Sequence, residues 1–243
     1  MTQPPAGHDQ EPQYERPQYL PPQGYIVRPQ RPPLAHPVTY VLIALNVLSF
    51  LAELFVPGYA SSIVLTYTSA MYEPWRLLTS AFMHFSIFHI GLNMLALYML
   101  GRPLEMILGA WKFIVLYFVS ALGGSAVYLL FAQPELNPLN ETQAGGASGA
   151  IFGLFGALVV MERYKLVRSG SLLPILAINL AISFLVPGIG WQAHIGGLIL
   201  GAGTTWAFMR GMRKQTSIRT MWVEVVLIAA LVIAATVARY TIL

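Results

Sequence analysis

The sequence predicts an all-α polytopic membrane protein, and three observations carry that prediction. Mean hydropathy is +0.62. Hydrophobic residues make up 56% of the 243 positions and charged residues only 10%, against about 25% charged in ordinary soluble domains. Beyond residue 37 the chain divides into seven apolar stretches, each near the ~20 residues that span hydrocarbon. The chain has no cysteine, which removes disulfides, thiolate metal sites and cysteine nucleophiles together. The net charge of +4 sits in short loops and points to no nucleic-acid partner.

The first segment, residues 1–37, holds ten of the 17 prolines and six glutamines, with a loose repeat through Pro12-Gln13-Tyr14, Pro17-Gln18-Tyr19 and Pro22-Gln23-Gly24-Tyr25. Such a composition cannot bury a core, so it reads as a disordered tail with polyproline II character. A proline-recognising partner is the sharper reading of the same residues. No cleavable signal peptide is expected here, because the segment is polar rather than apolar.

The seven stretches follow at about residues 38–56, 85–101, 110–132, 147–162, 171–187, 191–209 and 220–239. Charge fixes their direction. With the N-terminus in the cytoplasm, the inner segments hold 12 of the 14 basic residues, and the outer ones keep only Arg76 and Arg239. The outer 133–146 loop carries Glu135 and Glu141 and no basic residue. The C-terminus is therefore expected outside, and the expected location is a bacterial plasma membrane. The expected parts of the chain are the tail (1–37), a membrane core (38–210), and a basic loop with an extra transmembrane helix (211–243).

In this orientation the second, fourth and sixth stretches all run from outside to inside. His84, His89 and Asn93 fall in the first part of the second, Ser148 begins the fourth, and His194 begins the sixth. At 1.5 Å per residue, all lie within roughly 10–15 Å of the outer surface. A polar group in hydrocarbon is costly, so a shared depth suggests a shared task.

Ser148 lies among Gly145, Gly146, Ala147 and Gly149, which leave room for a substrate backbone. An inert membrane serine would satisfy its hydroxyl on the carbonyl four residues back. Ser148 instead opens a helix, where free N–H groups can hold an oxyanion. A serine nucleophile needs a general base, and His194 is the candidate. Gly149-x-x-x-Gly153 and Gly197-x-x-x-Gly201 allow the fourth and sixth helices to approach closely, which would bring the pair together. The same glycines could simply pack helices, and the two uses do not compete.

An acidic third member is hard to find. The one aspartate is Asp9, in the tail, and Glu53 and Glu224 sit on the first and seventh stretches. A Ser-His-Asp triad is therefore not expected. Stacking of the imidazole on Phe152, one turn below Ser148, is the candidate substitute, with plain core packing as the alternative. His89 and Asn93 are i,i+4 and share a helix face, so their side chains could join the Ser148 N–H at an oxyanion. His84 reads as structural. Neither a metal nor a cofactor is expected, since His84 and His89 lack the spacing and glutamate of H-E-x-x-H.

These residues together resemble the rhomboid intramembrane serine proteases. The resemblance runs through Trp75-Arg76, His84 to Asn93, Gly101-Arg102-Pro103-Leu104-Glu105, Gly146-Ala147-Ser148-Gly149, and Ala193-His194-Ile195-Gly196-Gly197 with Gly201. It implies a six-helix bundle, here with a seventh C-terminal helix. It implies that Ser148 and His194 form a catalytic dyad, and that Asn93, His89 and the Ser148 N–H form the oxyanion hole. It also implies structural roles for Trp75, Arg76 and Glu105, and supporting positions at Gly146, Gly149 and Gly197. Two positions depart from the family pattern: Phe152 stands where many members have Tyr, and Ile189 where many have Gly. The implied activity is cleavage of transmembrane protein substrates near the outer face of the bilayer. The rival readings are a non-catalytic rhomboid-like protein that binds transmembrane clients, and a transporter, which would need ionisable residues along a path across the bilayer.

Overall fold

The computed structural model describes residues 36–133, 141–167, 172–214 and 218–242. The expectations for the tail up to residue 35, and for Glu135 and Arg168, lie outside those residues. Among the described residues the chain is helical, and its one β contact is an isolated bridge between Leu65 and Ala144.

Helix α1 (Pro37–Phe55) opens with proline at its first position, where a missing N–H costs nothing. The first outer loop folds into α2 (Tyr59–Ile63), α3 (Tyr67–Tyr72), α4 (Arg76–Thr79) and a 3-10 turn at Ser80–Phe82. Then come α5 (Ile87–Leu108), α6 (Ala110–Phe131), α7 (Ser148–Arg163), α8 (Leu172–Leu185), α9 (Trp191–Lys214) and α10 (Ile218–Ile242). Each of the seven apolar stretches thus coincides with a helix. Among the described residues, α1 and α6 are each long and apolar enough to cross a bilayer, and the turn at Arg76–Phe82 makes a further candidate with α5, bent by 96°. Helix α8 is apolar but short, and α7 and α9 carry many small residues.

In helix α7, every residue from Gly149 to Leu158 is buried, so the helix is enclosed by its neighbours. Its glycines meet backbone. A Cβ on Gly197 of α9 would collide with the carbonyl oxygen of Gly149, and one on Gly201 with that of Gly153. A Cβ on Gly124 of α6 would stand 2.9 Å from the Ala193 carbonyl oxygen and 3.3 Å from Gly149 Cα. Helices α6, α7 and α9 therefore pack at a separation that only small residues permit. Around them, Leu97, Leu104, Phe113, Leu116, Tyr117, Leu154 and Phe208 fill the core. Leu48, Phe55, Leu92, Leu95, Trp111 and Val226 point outward, as side chains meeting acyl chains do.

Two expectations change. Helix α5 does not stop near residue 101 but continues through Gly101, Arg102 and Pro103 to Leu108. Tertiary contacts hold the added turns: Leu104 and Leu108 are buried, and Glu105 accepts the Val38 N–H at 3.0 Å and the Thr39 N–H and hydroxyl at 2.8 and 2.7 Å. A carboxylate at the amino end of α1 satisfies orphan donors and opposes the helix dipole. His84 is the second correction. It precedes α5 instead of lying on it, because Ser86 caps the helix by accepting the His89 N–H at 3.1 Å.

The outer loops are clamped together. Arg76, buried, donates to the Val64 carbonyl at 2.9 Å and pairs with Glu73 at 2.8 Å. Leu65 and Ala144 exchange backbone hydrogen bonds at 3.0 and 2.8 Å, and the Gly146 N–H reaches the Ser80 carbonyl at 2.8 Å. Glu141 accepts the Thr68 N–H at 3.2 Å and also the Thr68 hydroxyl. Burial pushes the Glu141 carboxyl upward, but the hydrogen bonds from Thr68 and Thr66 outweigh it and hold it below its ordinary value.

Two tests follow from this packing. Gly197→Ala should lower thermal stability in detergent by about 1–3 kcal/mol through overpacking. Gly91→Ala, which meets nothing within 4 Å, should instead gain about 0.5–1 kcal/mol in its helix. For Glu141 the lowered folded value means that its stabilisation is complete above the unfolded value of about 4.3 and is lost as pH falls through the folded one. The protection factor of the Thr68 amide, taken relative to its intrinsic exchange rate at each pH, should therefore fall on acidification in the wild type, and Glu141→Gln should abolish that dependence.

Candidate active site

The structure brings Ser148 and His194 together from residues 46 apart in sequence. His194 Nε2 stands 2.9 Å from Ser148 Oγ. Ser148 is the first residue of α7 and His194 lies in the first turn of α9, so the glycine contacts between these helices set the separation. The hydrogen-bond ladder of α7 begins with the Ile151 N–H on the Ala147 carbonyl at 2.9 Å. The amides from Ser148 to Ala150 precede it and are available to a ligand.

His194 is 8% exposed, and two groups fix its ring. Phe152 stacks on it with centroids 4.1 Å apart and planes 9° apart. The departure from tyrosine at this position keeps the ring that stacks. On the other edge, His194 Nδ1 is 2.7 Å from the hydroxyl of Ser183, on α8. Sequence reasoning missed Ser183. The signal was present, since Asn179 and Ser183 are polar residues spaced i,i+4 within an otherwise apolar stretch. Both acidic candidates are engaged elsewhere: Glu53 accepts the His84 N–H at 3.1 Å, and Glu224 pairs with Arg210 at 3.1 Å.

Gly146 adopts φ +121°, a conformation that disfavours any side chain. Its open face is covered by the two α5 residues singled out in the sequence. A Cβ there would stand 2.6 Å from His89 Cε1 and 3.6 Å from Asn93 Nδ2. The Asn93 Nδ2 is buried and has no hydrogen-bond partner, an arrangement that suits a ligand acceptor. His89 is stacked against Phe85 with planes 5° apart, and the His84 ring lies 5.1 Å from it. His84 therefore backs His89 and does not line the cavity. Trp75 is exposed and Arg76 organises the outer loop, both away from the dyad.

Ser148, His194, Phe152, Ser183, Gly146, His89 and Asn93 border one cavity of about 590 Å³, walled by α5, α6, α7, α8 and α9. Its volume lies in the range of ligand-binding clefts. Phe85, Phe88, Leu92, Ile175 and Ile182 give it an apolar rim. A hydroxyl, an imidazole within hydrogen-bond reach, and an unpaired buried amide facing the same space are the parts needed for acyl transfer.

Comparison with known proteins gives the same family. Residues 72–211 match the Rhomboid domain. The chain is 33% identical over 175 residues to Rhomboid protease GluP of Bacillus subtilis, which covers 67% of this chain and 33% of that protein. It is 32% identical over 193 residues to Rhomboid protease GlpG of Salmonella choleraesuis, covering 75% of this chain and 67% of that protein. It is also 38% identical over 136 residues to RHOMBOID-like protein 6, mitochondrial, of Arabidopsis thaliana, covering 53% of this chain and 42% of that protein. The chain thus spans less than half the length of several curated relatives that it matches. From the matched domain, the all-α architecture and the apolar outer shell, the chain belongs to the rhomboid family of integral membrane proteins.

Proposed function

We propose that this protein is a serine endopeptidase that cleaves transmembrane protein substrates within the bilayer, near its outer face. The observation that carries the reading is the 2.9 Å contact between Ser148 Oγ and His194 Nε2, beside the unpartnered Asn93 amide in one cavity. A dyad alone would be weaker support, because acyl transfer also needs donors for the charge that develops on the carbonyl oxygen.

The chemistry divides into two halves. The Ser148 oxygen attacks the scissile carbonyl carbon while His194 Nε2 takes the hydroxyl proton. The carbonyl oxygen becomes an oxyanion held by the Asn93 amide, His89 and the Ser148 N–H. Collapse breaks the C–N bond, and His194 returns the proton to the departing amine. Water then attacks the acyl-serine with His194 again as base, releasing the carboxyl product and restoring Ser148. The substrate must present an extended segment, because a helical carbonyl is already hydrogen-bonded. Glycine or proline near the cleavage point would favour that opening.

The distribution of basic residues supports a cytoplasmic N-terminus and an external C-terminus, and a bacterial plasma membrane is the setting we propose. The same distribution also supports the division into a cytoplasmic tail (1–37), a catalytic core (38–210) and a basic loop with an added helix (211–243). Helix α10 packs on the core through a T-shaped contact of Trp222 with Phe208 and through the Arg210–Glu224 pair, which is compatible with an accessory rather than a catalytic part.

A fluorophosphonate probe should label the wild type and not Ser148→Ala; equal labelling of the two would overturn the assignment. Asn93→Ala should lower kcat on a transmembrane substrate by about 10²–10³-fold, the usual loss for one oxyanion donor, with KM nearly unchanged.

A further inference from the structure

We infer that Ser183 is a positioning residue that selects the tautomer of His194, doing with a neutral hydroxyl what a carboxylate does in a triad; this rests on the protease reading above. The argument is one of proton counting. A serine hydroxyl has one proton to donate. Ser183 Oγ lies 2.7 Å from the Asn179 carbonyl oxygen, which can only accept, and the inference places the hydroxyl proton on that bond. The contact of 2.7 Å between Ser183 Oγ and His194 Nδ1 then has one possible direction, with Nδ1–H donating to a lone pair on Oγ. A neutral imidazole carries a single N–H. Its other nitrogen, Nε2, is therefore bare and turns its lone pair toward the Ser148 hydroxyl at 2.9 Å. That is the tautomer a general base requires. With the proton on Nε2 instead, the imidazole could not accept from Ser148.

The whole relay is directional: Ser148 O–H to His194 Nε2, His194 Nδ1–H to Ser183 Oγ, and Ser183 O–H to the Asn179 carbonyl. Each bond polarises the next. When His194 takes the Ser148 proton, the new positive charge is shared with Nδ1–H, which already has its acceptor.

Burial isolates this contact. Ser183 is 2% exposed and is the sole fully buried residue among the described side chains of α8. The helix otherwise presents Ile178, Ile182, Phe184 and Leu185 outward. Ser183 is thus the one buried side chain among the described residues of α8, and its hydroxyl lies on the imidazole of His194.

The test compares wild type, Ser183→Ala and Ser183→Thr in detergent, with Ser148→Ala as the inactive control. Two quantities are read: kcat and KM on a transmembrane substrate, and the tautomer of neutral His194 from its ¹⁵N shifts, assigned by difference against His194→Gln. Wild type should show Nδ1 protonated and Nε2 bare. Ser183→Ala should move population toward the Nε2–H form and lower kcat by about tenfold to a hundredfold, part of the about 10²–10⁴ that general-base catalysis supplies, with KM little changed. Ser183→Thr should restore the wild-type tautomer and most of the lost rate. An Nε2–H tautomer in wild type, an unchanged kcat in Ser183→Ala, or a loss of kcat with no change in tautomer would each overturn the inference. The tautomer readout does not need turnover. A wild type with neither proteolysis nor fluorophosphonate labelling would defeat the protease reading, while the shifts would still report on Ser183.

Discussion

Backbone contact between α7 and α9 governs the rest of this structure. Where Gly197 meets the Gly149 carbonyl, and Gly201 that of Gly153, no side chain intervenes. Helices so placed are held at the limit of approach, and a hydroxyl on one can reach an imidazole on the other. In lipid no hydrophobic force drives apolar helices together, so close van der Waals contact and helix-to-helix hydrogen bonds take its place. The glycines that assemble the site are therefore also those that stabilise the fold. The third helix of this cluster, α6, joins through Gly123 and Gly124, which encloses α7 on a further side. That enclosure explains why the helix bearing Ser148 can be so rich in glycine and still be ordered.

A second constraint acts at the outer end. The segment entering α7 is tied to the first outer loop by the Leu65–Ala144 exchange, the Gly146–Ser80 bond and the Glu141–Thr68 bonds. Its geometry leaves Gly146 at φ +121° with the His89 and Asn93 side chains against it. Ser148 thus starts its helix at a fixed point, next to His89 and Asn93 of α5. Core packing sets the distance between Ser148 and His194, and the loop clamp sets where His89 and Asn93 stand relative to both.

Much of this was legible in the residues because membrane burial makes polar groups conspicuous. Ser148, His194, His89 and Asn93 were found by their cost in apolar stretches, and the structure gathers all four around one cavity. The seven helices were legible for the same reason. What escaped the sequence depended on tertiary contacts. The end of α5 was hidden behind Gly101 and Pro103, since nothing local indicates that Glu105 will cap α1. His84 read as helical because the apolar pattern continues through it, whereas the Ser86 cap starts the helix later. Ser183 was passed over because a lone serine in a membrane helix ordinarily bonds the carbonyl four residues back. It does so here, and the same oxygen also serves His194.

The absence of an acid beside His194 has a physical reason in the same setting. An ionised carboxylate moved from water into a low-dielectric interior costs several kcal/mol even after relaxation. A hydroxyl costs about 1–3 kcal/mol when left unpaired, and Ser183 is not unpaired. Its oxygen lies 2.7 Å from both the Asn179 carbonyl oxygen and His194 Nδ1. A carboxylate would hold the imidazolium more strongly, but it would also raise the proton affinity of the base and require its own partners in an apolar wall. The neutral acceptor fixes the ring and its tautomer without bringing a permanent charge into the membrane. With Phe152 stacked on one face and Ser183 on the Nδ1 edge, the freedom left to His194 is confined to the edge that faces Ser148.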